Sequence, residues 1–280
     1  MPSINASRWH AKKAARLAVA TAAGAAGALH PFLGAAPVVR ALTYHCFGSV
    51  RRDPFCLEPA EFGRQVTWLA ENKLAVSLDD VRAFLDGRRT LRDGAVLVTI
   101  DDGDAGIASH AWPILKRHGI PAVAFIIAGE MGQPGRLSAC QVRKLAEEGL
   151  AIGSHSLTHP SMARIGWERA RDEAVRSRQQ LEEVVGRPVT AFAYPYGTRA
   201  DFDAEVAVIL GTAGYDCAFT SQHGTIRPGL PRLTLPRIKV EAGDPAWLFP
   251  RLCRGSLDGW RFVDRALWLA QRPHAGVVGA

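Results

Sequence analysis

Apolar residues along this chain fall into short runs separated by segments with helical spacing. Residues 38–44, 95–100, 122–127, 150–152, 190–194, 216–220 and 235–240 are short apolar runs of the kind that form strands buried on both faces. Between them lie helical patterns. In residues 58–72, Phe62, Val66, Trp68 and Leu69 recur at a helix-like interval. Ser77 caps a second helix that Gly87 ends, and Ser138 with Gln141 has capping-box spacing for a helix closed by Gly149. Residues 104–118 read as a helix interrupted at Pro113, and 201–210 as another. Residues 166–185 form a long polar helix. There Arg164/Glu168, Arg169/Glu173 and Asp172/Arg176 lie four apart, so this charge run reads as a solvated face. From Asp244 on, two short helical pieces carry Trp247, Trp260 and Trp268, read as packing groups.

Strand then helix, about seven times over, predicts a parallel sheet, and a closed or partly closed β/α barrel before an open one. Such folds collect their chemistry at the carboxyl ends of the strands.

Composition changes this picture little. A 48% hydrophobic content suits a globular protein with a large core. The net charge of +7 and pI near 9.5 admit an anionic partner. The arginines are scattered among acids with no aromatic-interleaved basic stripe, so no nucleic-acid partner is expected. Five cysteines (Cys46, Cys56, Cys140, Cys217 and Cys253) include no C-x-x-C pair, which argues against a disulfide framework or a cysteine zinc site. Cys217 reads as core.

Residues 1–37 form a separate N-terminal segment. Arg8, Lys12, Lys13 and Arg16 precede Leu17-Ala18-Val19-Ala20 and an Ala/Gly-rich run that His30-Pro31 ends. This reads as a secretory signal, as a helix packed beside the domain, or as a membrane-surface anchor through residues 12–29. The apolar run is short for a membrane span. A cytoplasmic or membrane-associated protein is the expectation, with export through an N-terminal signal as the alternative. The main domain is assigned to residues 38–255 and a helical tail to 256–280.

Candidate chemistry follows the predicted strands. The run 95–100 ends in Asp101-Asp102-Gly103. Adjacent carboxylates at the end of a buried strand repel, so a compensating positive charge is expected. A divalent metal on one, with the other left as a base, is the simplest arrangement. The plainer reading makes Asp101 the cap of a helix starting near Asp104. His155 and His159 follow the run at 150–152. On one helical turn their Cβ atoms would lie about 6 Å apart, and both rings could reach one metal at roughly 2.0–2.1 Å. His45 follows the first strand, and Pro195-Tyr196-Gly197 follows the run ending at Tyr194. A barrel would bring all of these to one face. One carboxylate and two imidazoles leave coordination positions open for water and substrate.

Thr99-Ile100-Asp101-Asp102-Gly103, His155-Ser156-Leu157-Thr158-His159 and Tyr194-Pro195-Tyr196-Gly197 resemble, in order and spacing, three motifs of the polysaccharide deacetylases, the carbohydrate esterases sharing the NodB homology domain. The resemblance spans roughly residues 38–240. It implies a distorted (β/α)7 barrel and metal-dependent deacetylation of N-acetylglucosamine-type glycans in exopolysaccharide or cell-envelope synthesis. Asp102, His155 and His159 would hold the metal, usually Zn2+, with Co2+ or Ni2+ as alternatives. Asp101 would be the general base, and the Tyr196 backbone N–H would help hold the oxyanion.

Two departures stand out. The family's third motif opens with an arginine two residues before its proline, where this chain has Ala193. Its Leu-x-His motif, which supplies the acid, is matched here by Leu235-Pro236-Arg237, and arginine cannot be that acid. His45 in Tyr44-His45 is the favoured replacement, because it resembles the early histidine of the branch acting on poly-N-acetylglucosamine. His223 is the second candidate, though a surface-loop histidine is its plainer reading. Arg237 is expected to pair with Asp101. Two rivals are an enzyme acting on another amide, such as a cyclic imide or lipid-linked amino sugar, and an inactive glycan-binding protein.

Overall fold

The computed structural model describes residues 13–21, 37–48 and 53–267. Residues 13–21 form a helix, α1. Strand β1 (Val39–Tyr44) opens a closed barrel, followed by the two-residue strands β2 (Cys46–Phe47) and β3 (Cys56–Leu57). Helices α2 (Pro59–Asn72) and α3 (Leu78–Leu85) then lead to β4 (Ala95–Ile100). The rest alternates: α4 (Trp112–Arg117), β5 (Ala122–Ile126), α5 (Ala139–Glu147), β6 (Ala151–Ser154), α6 (Trp167–Val185), β7 (Ala191–Ala193), α7 (Ala204–Thr212), β8 (Cys217–His223) and β9 (Leu235–Lys239), with α8 (Leu248–Cys253) and α9 (Trp260–Leu267) after it. The barrel runs β1-β4-β5-β6-β7-β8-β9, and β9 pairs back to β1 through Leu42↔Ile238 and Thr43↔Lys239. This is the expected distorted (β/α)7 barrel, all parallel, with the helices outside.

Strand alternation divides the core in two. Val39, Ala41, Leu97, Phe125, Ala193, Phe219 and Leu235 fill the barrel. Leu42, Val96, Val98 and Ile100 face outward to Phe62, Val66 and Leu69 of α2. Helix α3 joins the inner cluster through Val81 and Phe84. Its Arg82 donates to Thr190 Oγ1 at 2.6 Å and to Asp216 at 2.9 Å, just before β7 and β8, so α3 lies at the amino end of the barrel. The opposite mouth is left to the site.

The predicted Ser77 cap forms, and does so as a capping box with Asp80; the predicted capping box of Ser138 with Gln141 forms as well. Some local readings need correction. The segment before α4 is a π-helix (Ile107–Ala111), with Pro113 in the first turn of the α-helix that follows. Helix α7 starts at Ala204 with Asp203 as its cap, whereas Asp201 is fully buried and accepts from Ser161 Oγ at 2.7 Å. Glu173 leaves the solvated face of α6 and is 4% exposed. Cys46 and Cys56 are disulfide-bonded, with Cα atoms 4.6 Å apart. The parallel pairing of β2 with β3 brings them together, which no cysteine spacing foretold.

Helix α1 settles one reading of the N-terminal segment. Arg16 is 4% exposed, pairs with Glu241 (3.4 Å) and Asp244 (3.2 Å), and donates to the Lys239 carbonyl at 2.6 Å. Residues 13–21 are thus a helix docked on the rim after β9. The remainder of the signal-like segment, including Arg8, Lys12 and His30-Pro31, lies outside the described residues, as does Trp268. Among the described residues no helix is long and apolar enough to cross a membrane.

Candidate active site

Asp101 leaves β4 with its backbone N–H on the Tyr44 carbonyl (2.9 Å), so the ends of β1 and β4 are tied at the mouth. The chain then reverses. Asp102 adopts φ 70°, a left-handed conformation uncommon outside glycine. This turns the two adjacent carboxylates to different partners. Asp101 does not cap a helix; Asp104 closes the turn that follows, accepting from Gly106 N–H at 2.8 Å.

Arg237, 1% exposed, reaches Asp101 from β9 in a two-pronged pair: Nη1 to Oδ1 and Nη2 to Oδ2, both 2.7 Å. Its Nε donates to the Thr220 carbonyl (2.9 Å) and Nη1 also to Thr99 Oγ1 (3.1 Å), which locks the fork. Burial opposes the charge on Asp101, but Arg237, with His155 and His45, outweighs it and holds the carboxyl below its usual range. The expected pairing is present.

Asp102 meets His155 Nε2 at 3.4 Å and His159 Nε2 at 3.6 Å through the same Oδ1. The three donor atoms lie within 4.8 Å of one another. His155 follows β6, and its Nδ1 donates to the Ala193 carbonyl at 2.7 Å, which fixes the ring with Nε2 turned to Asp102. One carboxylate oxygen and two imidazole nitrogens around a common point are a donor set suited to a divalent ion. The residues present fit such an ion. Burial and the neighbouring His155 lower the His159 pKa to about 4, which favours its neutral, ligating form.

The histidines converge, but not on a helical turn. Ser156 (φ 64°) and His159 (φ 60°) both adopt left-handed conformations in a loop. Glu173 of α6 holds that loop: it accepts from the Leu157 and Thr158 N–H groups, each at 2.8 Å, and from Thr158 Oγ1. Sequence reasoning missed Glu173 because a four-residue pairing with Arg169 explained its charge equally well.

Tyr196 sits at φ 57° in the turn after β7, its ring 4.7 Å from that of His159. Gly197 follows because a Cβ there would come within 2.6 Å of the Ser221 backbone nitrogen. His45 stands at the end of β1, its ring 5.0 Å from Phe55. Burial lowers its pKa, partly offset by the nearby Asp102 and Asp101. Among the described residues its buried Nδ1 has no hydrogen-bond partner. His223 is not a surface-loop histidine. It ends β8, its Nε2 donates to the Leu257 carbonyl at 2.8 Å, and burial lowers its pKa to about 4.

Comparison with known proteins agrees with this geometry. The polysaccharide deacetylase family model matches residues 88–218. YxkH of Bacillus subtilis, a protein named as a polysaccharide deacetylase, is 24% identical over 203 residues, 72% of this chain and 71% of its own. The poly-β-1,6-N-acetyl-D-glucosamine N-deacetylase of Staphylococcus aureus is 22% identical over 66% of this chain and 68% of its own. Among solved structures, IcaB from Ammonifex degensii is 28% identical with a TM-score of 0.69, covering 79% of this chain and 97% of its own. The Streptococcus pyogenes deacetylase PplD shares the fold at 19% identity, with a TM-score of 0.71 over 78% of this chain and 98% of its own. With its barrel, its three motifs and this company of relatives, the chain carries a polysaccharide deacetylase domain matched over residues 88–218.

Proposed function

We propose that the protein removes acetyl groups from N-acetylglucosamine-type glycans, with Zn2+ held by Asp102, His155 and His159. The observation that carries this reading is the placement of those three donors around one point, beside a second carboxylate that Arg237 keeps ionised. The likeness to the poly-β-1,6-N-acetyl-D-glucosamine N-deacetylase and to IcaB supports an N-acetylated glycan as substrate.

A bound divalent ion supplies Lewis acidity toward the acetyl carbonyl and draws the pKa of water down toward ~7. Asp101 takes the proton from the attacking water as its oxygen bonds to the carbonyl carbon. The Tyr196 backbone N–H donates to the oxyanion that forms. Burial biases His45 toward its neutral form, and it takes up a proton from solvent water as that negative centre forms beside it. It then gives the proton to the sugar nitrogen, and the C–N bond breaks to leave acetate and a free amine. The Cys46–Cys56 bridge favours an oxidising compartment for this work.

The test is acetate and amine release from defined N-acetylglucosamine oligomers, before and after chelation. Activity lost to a chelator and restored by Zn2+ is expected; release that ignores the chelator would overturn the assignment. The inactive-binder reading has nothing to recommend it here, since Asp101, Asp102, His155 and His159 are all present and converge.

A further inference from the structure

Two short strands beside the mouth are not used by the chemistry above. Strand β2 begins at the residue after His45, and β3 begins at the residue after Phe55. They pair in parallel, Cys46↔Cys56 and Phe47↔Leu57, and a disulfide joins the first pair. The residues immediately before each cysteine are therefore side by side, and they are His45 and Phe55, with rings 5.0 Å apart.

A parallel pairing only two residues long has little stability of its own. Its backbone bonds include Cys46 N–H to Phe55 carbonyl at 3.4 Å and Gly48 N–H to Leu57 carbonyl at 3.1 Å. The covalent link is what fixes their register. The strap is anchored at two further points. Ala242 N–H donates to the Pro54 carbonyl at 2.7 Å, tying it to the rim after β9. On its other side Phe47 N–H donates to the Asp104 carboxylate, two residues beyond Asp102. Phe47 approaches that turn so closely that a Cβ on Gly106 would meet the Phe47 carbonyl oxygen at 2.5 Å. The buried His45 Nδ1 makes no hydrogen bond among the described residues, so no polar contact on that nitrogen holds the ring. β1 before it, the bridge after it and the tilted ring of Phe55 beside it flank the imidazole.

We infer that the Cys46–Cys56 disulfide is a positioning device for His45, so that the protein is fully active only in its oxidised form. This rests on the reading of His45 as the proton donor to the leaving nitrogen. Reduction by a water-soluble trialkylphosphine delivers two electrons. The S–S bond breaks, Cys46 and Cys56 take two protons from water, and the water oxygen leaves as phosphine oxide. Both thiols are then free, Phe55 is uncoupled from His45, and the imidazole loses its fixed direction. A catalytic group displaced by even ~1 Å can lose about a hundredfold in rate.

The experiment compares four forms of the full-length, metal-loaded chain on an N-acetylglucosamine oligomer: wild type, Cys46→Ser/Cys56→Ser, His45→Ala, and all three substitutions together. Thiol titration of the unfolded wild type should find only Cys140, Cys217 and Cys253 reactive until the phosphine is added. The double serine variant, and reduced wild type, should lose about tenfold or more in kcat with KM changed less than about twofold. Metal content should be unchanged, and reoxidation of the wild type should restore the rate. In the His45→Ala background, removing the bridge should cost almost nothing further, because its effect runs through that ring. A bridge that merely stabilised the fold would give losses that multiply, and that result would overturn the inference. So would wild-type kcat in the double serine variant while His45→Ala is impaired. Wild-type kcat in His45→Ala itself would instead sink the acid assignment and the bridge's role with it. Should the serine variants fail to fold, reduced against reoxidised wild type and His45→Ala gives the same comparison.

Discussion

Arg237 and Asp101 show how one residue pair can decide what a site does. The carboxylate is buried, and burial alone would raise its pKa; the two-pronged guanidinium reverses that sign. Asp101→Asn removes the proton acceptor but leaves Asp102, His155 and His159 untouched. Metal content measured by elemental analysis should therefore stay near wild type while kcat falls by about 10²–10⁴-fold. A variant with normal kcat would mean that Asp101 is not the base. Arg237→Lys keeps the charge but cannot donate to both carboxylate oxygens and to Thr99 and Thr220 at once. Its kcat should drop about tenfold or more, and near-normal turnover would show that charge alone suffices. Ala193, the position where the resembled motif led us to expect an arginine, offers its carbonyl to His155, and the cation at Asp101 comes from another strand. That substitution of position was legible as a pairing of Arg237 with Asp101, because arginine at the expected histidine position demanded some other use for its charge.

At the scale of elements, the strands and the capped helices were readable because their causes are local. Five apolar residues in a run of six and a serine three before an acid or glutamine need no tertiary information. What stayed hidden depends on contacts remote in sequence. Glu173 looks like half of an exposed ion pair until α6 is laid beside the histidine loop after β6. The histidine loop looks like a helical turn until Ser156 and His159 are seen in left-handed backbone. Cys46 and Cys56 declare themselves only through β2 and β3. Glu173→Gln tests the first of these. It retains the shape but weakens the acceptor for the two loop N–H groups, so metal affinity measured by competition with a chelator should fall about 10–100-fold. Unchanged affinity would reduce Glu173 to a helix-packing residue. His223 marks the other end of this scale, joining β8 to the segment before α9. The fold lowers its pKa from 6.5 to about 4, so the folded state binds fewer protons than the unfolded chain across that interval. Stability is full above pH 6.5 and declines as pH falls toward 4, by about 3 kcal/mol if the whole shift is realised. His223→Gln keeps a donor for Leu257 but cannot titrate. Its unfolding free energy, measured by denaturant at pH 7.5 and pH 5, should differ between the two by distinctly less than in wild type.

For the whole molecule, one side of the barrel mouth is tied together by pieces far apart in the chain. Helix α1 grips the segment after β9, that segment grips the strap at Pro54, and the strap grips the turn after Asp102. The basic residues that read as the start of a signal are therefore partly accounted for by Glu241 and Asp244. Arg16→Met tests whether this tie matters. Methionine conserves much of the volume but leaves Glu241, itself 5% exposed, without its partner. Removing one member of a buried ion pair costs about 3–5 kcal/mol, which for a domain of this size corresponds to a fall in Tm of roughly 6–20 °C. Scanning calorimetry of the full chain reads this directly. Because the segment after β9 also supports the strap at Pro54, kcat should decline as well, whereas metal content, fixed by β4 and the loop after β6, should not. A Tm within about a degree of wild type would mean that α1 rests on the barrel without bracing it. That side of the rim would then be held by the strap and its disulfide.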